Sequence, residues 1–182
     1  MFRPALIGLF FLAIAVALLA IPRMPAAVAA SPTPVPMTRP DFSSMKFLLG
    51  TWTCHQIVRG KNRPDTGTTT IGLDGAYMVT HDVAPAFDKY RTQAVRSDTY
   101  TTYNPQTHQW VSMSMDSFGG YVVTTSPGWT GNTMTSKTVM TNDGGSGTDT
   151  LTKVSDTQTR DAFTGKDAKG KVTRGTVTCT KS

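Results

Sequence analysis

From residue 41 onward, apolar and polar residues alternate along the chain. Val111, Met113 and Met115 alternate with serines, and Val177 and Cys179 alternate with threonines. Successive side chains of a β-strand point to opposite faces, so a period of two predicts strands with one apolar and one polar face. A single helical turn is predicted at residues 41–45. The predicted strands are 46–59, 66–73, 76–83, 92–103, 108–116, 121–126, 132–141, 148–155, 157–163 and 172–180.

Turn-forming residues separate these segments at short and regular intervals. Asp74-Gly75, Asn104-Pro105 and the run from Asn142 to Gly147 are typical of connections between antiparallel strands. Closing such a sheet on itself removes its exposed edges and requires only one interior. The pattern therefore predicts an all-β fold, a single antiparallel up-and-down barrel of about nine or ten strands. A β-sandwich without a cavity remains the alternative.

Composition supports this fold class and narrows the range of partners. The chain has 31 threonines and no glutamate, and threonine favours strands over helices. This argues against a helical bundle. The 18 Lys and Arg residues are scattered among 12 Asp residues and form no basic stripe, so we expect no nucleic-acid partner. Composition leaves the oligomeric state open.

The first 30 residues have the pattern of an export signal. Arg3 precedes an uncharged run from Ala5 to Ile21, and Ala27-Val28-Ala29 offers small residues for cleavage. We therefore predict a signal peptide at 1–30, a proline-rich leader at 31–40 and the folded domain at 41–182. This organisation predicts export to the periplasm or the extracellular space. An uncleaved membrane anchor is the alternative, and no second apolar run of that length follows.

The first strand carries a Gly-x-Trp motif, Gly50-Thr51-Trp52, within Leu48-Leu49-Gly50-Thr51-Trp52. Further landmarks follow in order, namely Gly72-Leu73-Asp74-Gly75-Ala76-Tyr77-Met78, Tyr103-Asn104-Pro105 with Trp110, and Met115-Asp116-Ser117. Over residues 45–141 the chain resembles a bacterial family of lipocalin-like (calycin-type) barrels of unknown function. This resemblance implies a small barrel that is plugged at one end by Trp52 and open to a ligand in its interior.

The chain is more distantly similar to nitrobindin-type haem barrels, which also open with a Gly-x-Trp strand. In those barrels a histidine on a late strand holds the haem iron. The histidines of this chain are His55, His81 and His108, with none on the late strands. We therefore expect no haem and no other cofactor. No spacing typical of metal ligands occurs either.

Alternation assigns a set of candidate ligand-binding residues to the interior. His81 shares a predicted face with Tyr77 and Val79, and methionines are side chains that adapt to irregular apolar ligands. The predicted ligand-binding residues are Tyr77, His81, Met113, Met115, Tyr121 and Met134. Gly50 and Trp52 are predicted to be structural. Asp116, at a strand end, is predicted to hold a turn rather than to lie at the mouth of a pocket.

The two cysteines test closure of the barrel. Cys54 lies on the first predicted strand and Cys179 on the last, and cysteines of exported proteins tend to pair. In a closed barrel these strands are antiparallel neighbours. A Cys54–Cys179 disulfide sets a register in which Gln56 faces Val177, and it places Trp52 and both cysteines on one face.

These observations predict an exported, non-enzymatic barrel that binds a small apolar or amphipathic molecule in its interior. One alternative is an enzyme that uses an interior His81–Tyr77 pair for acid–base chemistry. Another is a structural or attachment domain of the cell envelope without a ligand.

Overall fold

The computed structural model describes residues 38–87, 89 and 91–182. The predicted signal peptide and most of the predicted leader lie outside the described residues. In the described part of the chain, no helix is long and apolar enough to cross a membrane. Two short 3-10 helices, Ser43–Leu48 and Leu73–Gly75, accompany eleven strands there. The strands are β1 (Gly50–Val58), β2 (Lys61–Gly72), β3 (Tyr77–Ala84), β4 (Val95–Asn104), β5 (Gln109–Asp116), β6 (Tyr121–Ser126), β7 (Trp129–Thr130), β8 (Thr133–Thr141), β9 (Ser146–Ser155), β10 (Gln158–Lys166) and β11 (Val172–Lys181).

The strands form one closed antiparallel barrel. Each strand from β1 to β5 pairs with the next, β8 to β11 continue the meander in the same way, and β11 pairs back onto β1. Pairing of β6 with β8 completes a ring of ten strands, and the two-residue β7 forms only a small hairpin with β8. The predicted single up-and-down barrel is confirmed. Closure excludes the sandwich.

The predicted pairing of the first and last strands is confirmed residue by residue. Cys54 is opposite Cys179, and Gln56 is opposite Val177. A disulfide joins the two cysteines across 125 positions of sequence. The first and last strands of the barrel are thus joined both by a ladder of hydrogen bonds and by a covalent bond.

The second strand begins earlier than predicted. Arg59 and Gly60 both have positive φ, 51° and 74°, and form a two-residue hairpin turn, so β2 starts at Lys61 instead of 66. Pro64 is unusual within a strand, since proline lacks an amide hydrogen for the ladder. Its carbonyl accepts a hydrogen bond from the Arg91 guanidinium at 3.3 Å.

The apolar core closes one end of the barrel. The helix Ser43–Leu48 precedes β1, and its Met45 is only 2% exposed. Met45 packs with Phe42, with Met78 at the start of β3 and with Met134 at the start of β8. The strands that begin at this end include β1, β3, β5 and β8. We call this the plugged end and the opposite one the far end.

Several strands have faces opposite to those predicted from the sequence. On β3 the side chains of Met78, Thr80 and Asp82 point inward, and on β5 those of Ser112 and Ser114 do. The prediction was wrong because it equated the apolar face with the interior. A ring of ten strands encloses a hollow, so small hydroxyl residues can line it while Val83, Met113 and Met115 are exposed on the outer face.

Candidate functional site: a cavity inside the barrel

The barrel encloses a cavity of about 440 Å³. Its floor, at the plugged end, is apolar and is formed by Met45, Leu48, Trp52, Met78 and Met134. The Trp52 indole N–H donates to the Leu48 carbonyl at 2.7 Å, so the ring is held against the helix that forms the plug. A volume of this size suits a small molecule.

Hydroxyl groups form the wall above this floor. They are paired across neighbouring strands: Thr69 with Thr80 at 3.0 Å, Thr99 with Ser114 at 2.6 Å, and Thr101 with Ser112 at 2.8 Å. All six residues line the cavity. Because each hydroxyl has a partner, the wall is polar at little desolvation cost.

Two carboxylates, Asp82 and Asp149, also line the cavity. Asp82 lies near the end of β3 and Asp149 near the start of β9, so both are toward the far end. Around the ring, β3 and β9 are five strands apart in either direction, which places the two residues on opposite walls. The cavity is therefore apolar at its floor and acidic higher up.

Burial raises the pKa of both carboxyl groups. The pKa of Asp82 rises to about 6, mainly through desolvation and further through the nearby charge of Asp65, while His81 opposes the shift. The pKa of Asp149 is raised by burial against the opposing effect of the Ser136 hydroxyl. Each carboxylate is thus poorly solvated in its ionised form.

A second acidic residue lies beside each of these two. Asp65 on β2 is next to Asp82, and Asp161 on β10 is next to Asp149. Burial raises the pKa of Asp65, and it raises the pKa of Asp161 to about 6 with a contribution from the charge of Asp149. One oxygen of Asp65 and one of Asp161 are buried without a hydrogen-bond partner among the described residues.

Four of the predicted site residues line the cavity: Met134, Trp52 and the disulfide pair Cys54–Cys179. Gly50 lies at the start of β1 with a φ of 113°, a backbone conformation that favours glycine. The structure thus brings Met134 and Trp52 together at the floor. Whether they bind a ligand stays a prediction.

The other five predicted ligand-binding residues do not line the cavity. Tyr77 lies on the outer face, with its ring centroid 6.3 Å from that of Tyr100. Met113, Met115 and Tyr121 are exposed outside the barrel. The prediction that these side chains point inward was wrong, because each has the strand parity opposite to that of its inward neighbour.

His81 is also on the outer face, with a side chain 57% exposed. Its Nδ1 lies 2.6 Å from an Asp98 carboxylate oxygen, and Asp98 is its partner on β4. The predicted interior His81–Tyr77 pair is therefore not formed. The histidine instead belongs to an exposed hydrogen-bonded pair on a strand surface.

Asp116 lies in the turn between β5 and β6. Its Oδ1 accepts hydrogen bonds from the amides of Phe118 and Gly120, at 2.8 and 3.0 Å. The side chain thereby fixes the tight connection at the far end. It does not line the main cavity.

The residues of the cavity do not fit haem. None of His55, His81 and His108 lines it, so the axial ligand implied by the more distant resemblance is missing there. Across the described residues, no group of three or more His, Cys, Asp or Glu side chains is arranged to hold a metal ion.

The polar lining and its carboxylates were not predicted from the sequence. A usable signal was nevertheless present, because Trp52 fixes the inward face of β1. With the two-residue turn at Arg59-Gly60, Trp52 pairs with Gly67, and Gly67 pairs with Asp82. Following register outward from Trp52 would have identified Asp82 as an inward residue.

Comparison with known proteins adds no family to this description. No protein-family model matches the chain, and no curated protein sequence is significantly similar to it.

Proposed function

We propose that this protein is an exported, non-enzymatic barrel that binds a small amphipathic molecule in its interior. The observation that carries the proposal is the cavity of about 440 Å³, which has an apolar floor and a hydroxyl-lined wall. Such a lining suits a molecule with an apolar body and a polar end. The resemblance to lipocalin-like barrels of unknown function is consistent with an interior binding site.

Export is supported by the disulfide and by the sequence of the N-terminus. Disulfides persist in oxidising compartments, and Cys54 and Cys179 are bonded. Residues 1–30 have the pattern of a cleaved signal peptide. We expect protein isolated from the periplasm or medium of producing cells to begin near residue 31. Recovery only of chains that begin at Met1 would contradict export with cleavage.

Binding is tested with a neutral fluorescent probe, N-phenyl-1-naphthylamine, titrated into the purified protein. We expect a saturable rise in fluorescence at about one probe per chain. Adjacent residues of β5 provide a matched pair of variants, because Ser114 lines the cavity and Met115 is exposed outside. Ser114→Phe should weaken binding by roughly ten-fold or more by filling the cavity, and Met115→Phe should change it less than about two-fold.

Thermal unfolding followed by circular dichroism shows that each variant is folded. If Ser114→Phe fails to fold, Thr124→Phe, which also fills the cavity from β6, replaces it. A folded wild-type protein without saturable binding would refute the proposed function. Equal effects of the inward and the outward phenylalanine would place the probe outside the barrel and refute the interior site.

A further inference from the structure

The charge on the cavity wall is of one sign. Among the described residues that line the cavity, Asp82 and Asp149 are the charged ones, and no Lys, Arg or His joins them. The chain as a whole has a formal net charge of +6, so this acidic interior is opposite in sign to the molecule. The acidic character of the cavity therefore comes from these two carboxylates and does not follow from the net charge of the chain.

The carboxylates lie in a place where a ligand's polar end would reach them. They are on opposite walls and toward the far end, whereas the apolar side chains of the floor are at the plugged end. A molecule whose apolar body rests on Met45 and Trp52 would thus direct its other end toward the two acidic walls.

Thr159 adds a hydroxyl to the lining of the same cavity. It lies on β10 and is 4% exposed. A hydroxyl can both donate and accept a hydrogen bond, so Thr159 can contact a polar group that enters the cavity.

Electrostatics selects the charge of that polar group. An anion placed between Asp82 and Asp149 would be repelled from both sides in surroundings of low dielectric constant, whereas a cation would be attracted to both. A cation would also supply the opposite charge that the cavity lining does not offer to these two poorly solvated carboxylates. The basic exterior does not change this ranking, because charges outside the barrel are screened by water and salt.

From these observations we infer that the ligand is an amphipathic organic cation, with its apolar part on the floor and its ammonium group at the level of Asp82 and Asp149. This inference rests on the proposed function and specifies the ligand class of the same cavity. Apolar burial on the floor supplies affinity, and the carboxylates distinguish the cation from neutral and anionic analogues.

Three octyl compounds that share one tail test the inference: octylammonium, octanol and octanoate. Each is used to displace N-phenyl-1-naphthylamine from the purified protein at pH 7.5. We expect octylammonium to displace the probe at concentrations roughly 30-fold lower than octanoate, with octanol between them. In Asp82→Asn/Asp149→Asn this preference should fall below about three-fold. Asp74→Asn, an exposed carboxylate in the turn before β3, is the control with an unchanged preference.

The outcomes separate the two proposals. If the probe binds but the three compounds displace it equally, or octanoate displaces it best, the cation inference is overturned and the proposed function stands. If the asparagine variants keep the full preference for octylammonium, Asp82 and Asp149 are not its source and the inference is likewise overturned. If the folded wild-type protein binds no probe, the proposed function itself fails.

Discussion

The inward side chain of Asp82 has space in the interior because its partner on β2 is a glycine. Gly67 and Asp82 are directly opposite, and a Cβ atom at position 67 would overlap the Asp82 carboxylate. Trp52 is the next residue in the same row, on β1. The absence of a side chain at residue 67 thus makes room for the Asp82 carboxylate.

This arrangement predicts that Gly67→Ala destabilises the barrel by about 1–3 kcal/mol through overpacking. Removing the carboxylate should relieve the overlap, so Gly67→Ala/Asp82→Ala should be more stable than the sum of the two single variants implies. Urea unfolding of the four proteins measures the coupling. Strictly additive effects would show that residue 67 and the Asp82 carboxylate do not compete for space.

The raised pKa of Asp82 makes stability depend on pH. The ordinary pKa of an aspartate side chain is 3.8 and that of Asp82 in the folded protein is about 6, so between these values the folded state binds more protons than the unfolded state. This group therefore lowers the free energy of unfolding as pH rises from about 4 to about 6, and the cost persists above 6. Besides Asp65, the charges that act on it are those of His81 and Asp98.

We predict that Asp82→Asn raises the free energy of unfolding at pH 7.5 by about 1 kcal/mol, since the carboxylate is only half-buried and partly screened. At pH 4 the difference from wild type should disappear. Urea unfolding at both pH values measures it, with Asp74→Asn as a control that stays within about 0.5 kcal/mol of wild type. A gain of the same size at both pH values would show that ionisation of Asp82 is not its cause.

At the scale of elements, the helix Ser43–Leu48 acts as the floor of the cavity and as the main apolar core. Phe42 packs on Trp110 with ring centroids 5.4 Å apart, and Phe47 packs on Trp129 at the same distance. The Lys181 ammonium donates to the Phe47 carbonyl at 2.9 Å. The plug is thus joined to β5, β7 and β11.

One buried and one exposed phenylalanine test how much this plug contributes to the stability of the barrel. Phe42 is 8% exposed and belongs to the core, whereas Phe118 is 62% exposed in the β5–β6 turn. We expect Phe42→Ala to reduce the free energy of unfolding by about 3–5 kcal/mol, and Phe118→Ala to change it by less than about 0.5 kcal/mol. Similar losses in denaturant unfolding would show that the apolar core is not concentrated at the plugged end.

The sequence predicts the strands and the β1–β11 register, but it predicts the inward faces of some strands wrongly. Turn chemistry identified the strands, and the two cysteines identified the β1–β11 register, because both depend on local or paired signals. Faces were predicted correctly on β1 and β11, where Trp52 and the disulfide fix them. On β3 and β5 they were inverted, since threonine and serine line the hollow and the apolar residues Val79 and Met113 lie outside.

For the whole molecule, the ring is completed at two seams, β6–β8 and β1–β11. The first follows from neighbouring segments of the chain, but the second joins strands at opposite ends of the domain. Only this second seam carries a covalent bond, and its Cys54–Cys179 pair also lines the cavity. Loss of the disulfide would therefore act on the stability of this seam and on the lining of the site together.

Removing this disulfide should destabilise the barrel without preventing closure. The cross-link spans 125 positions, and loss of so long a loop constraint raises the entropy of the unfolded chain, so Cys54→Ser/Cys179→Ser should lower the free energy of unfolding by about 2–5 kcal/mol. Reduced wild-type protein should show the same loss, because it too lacks the cross-link. Guanidinium unfolding measures both, and thiol counting on denatured, non-reduced protein should find no free thiol. Two free thiols, or equal stability of the oxidised and reduced forms, would show that the β1–β11 seam is held by its hydrogen bonds alone.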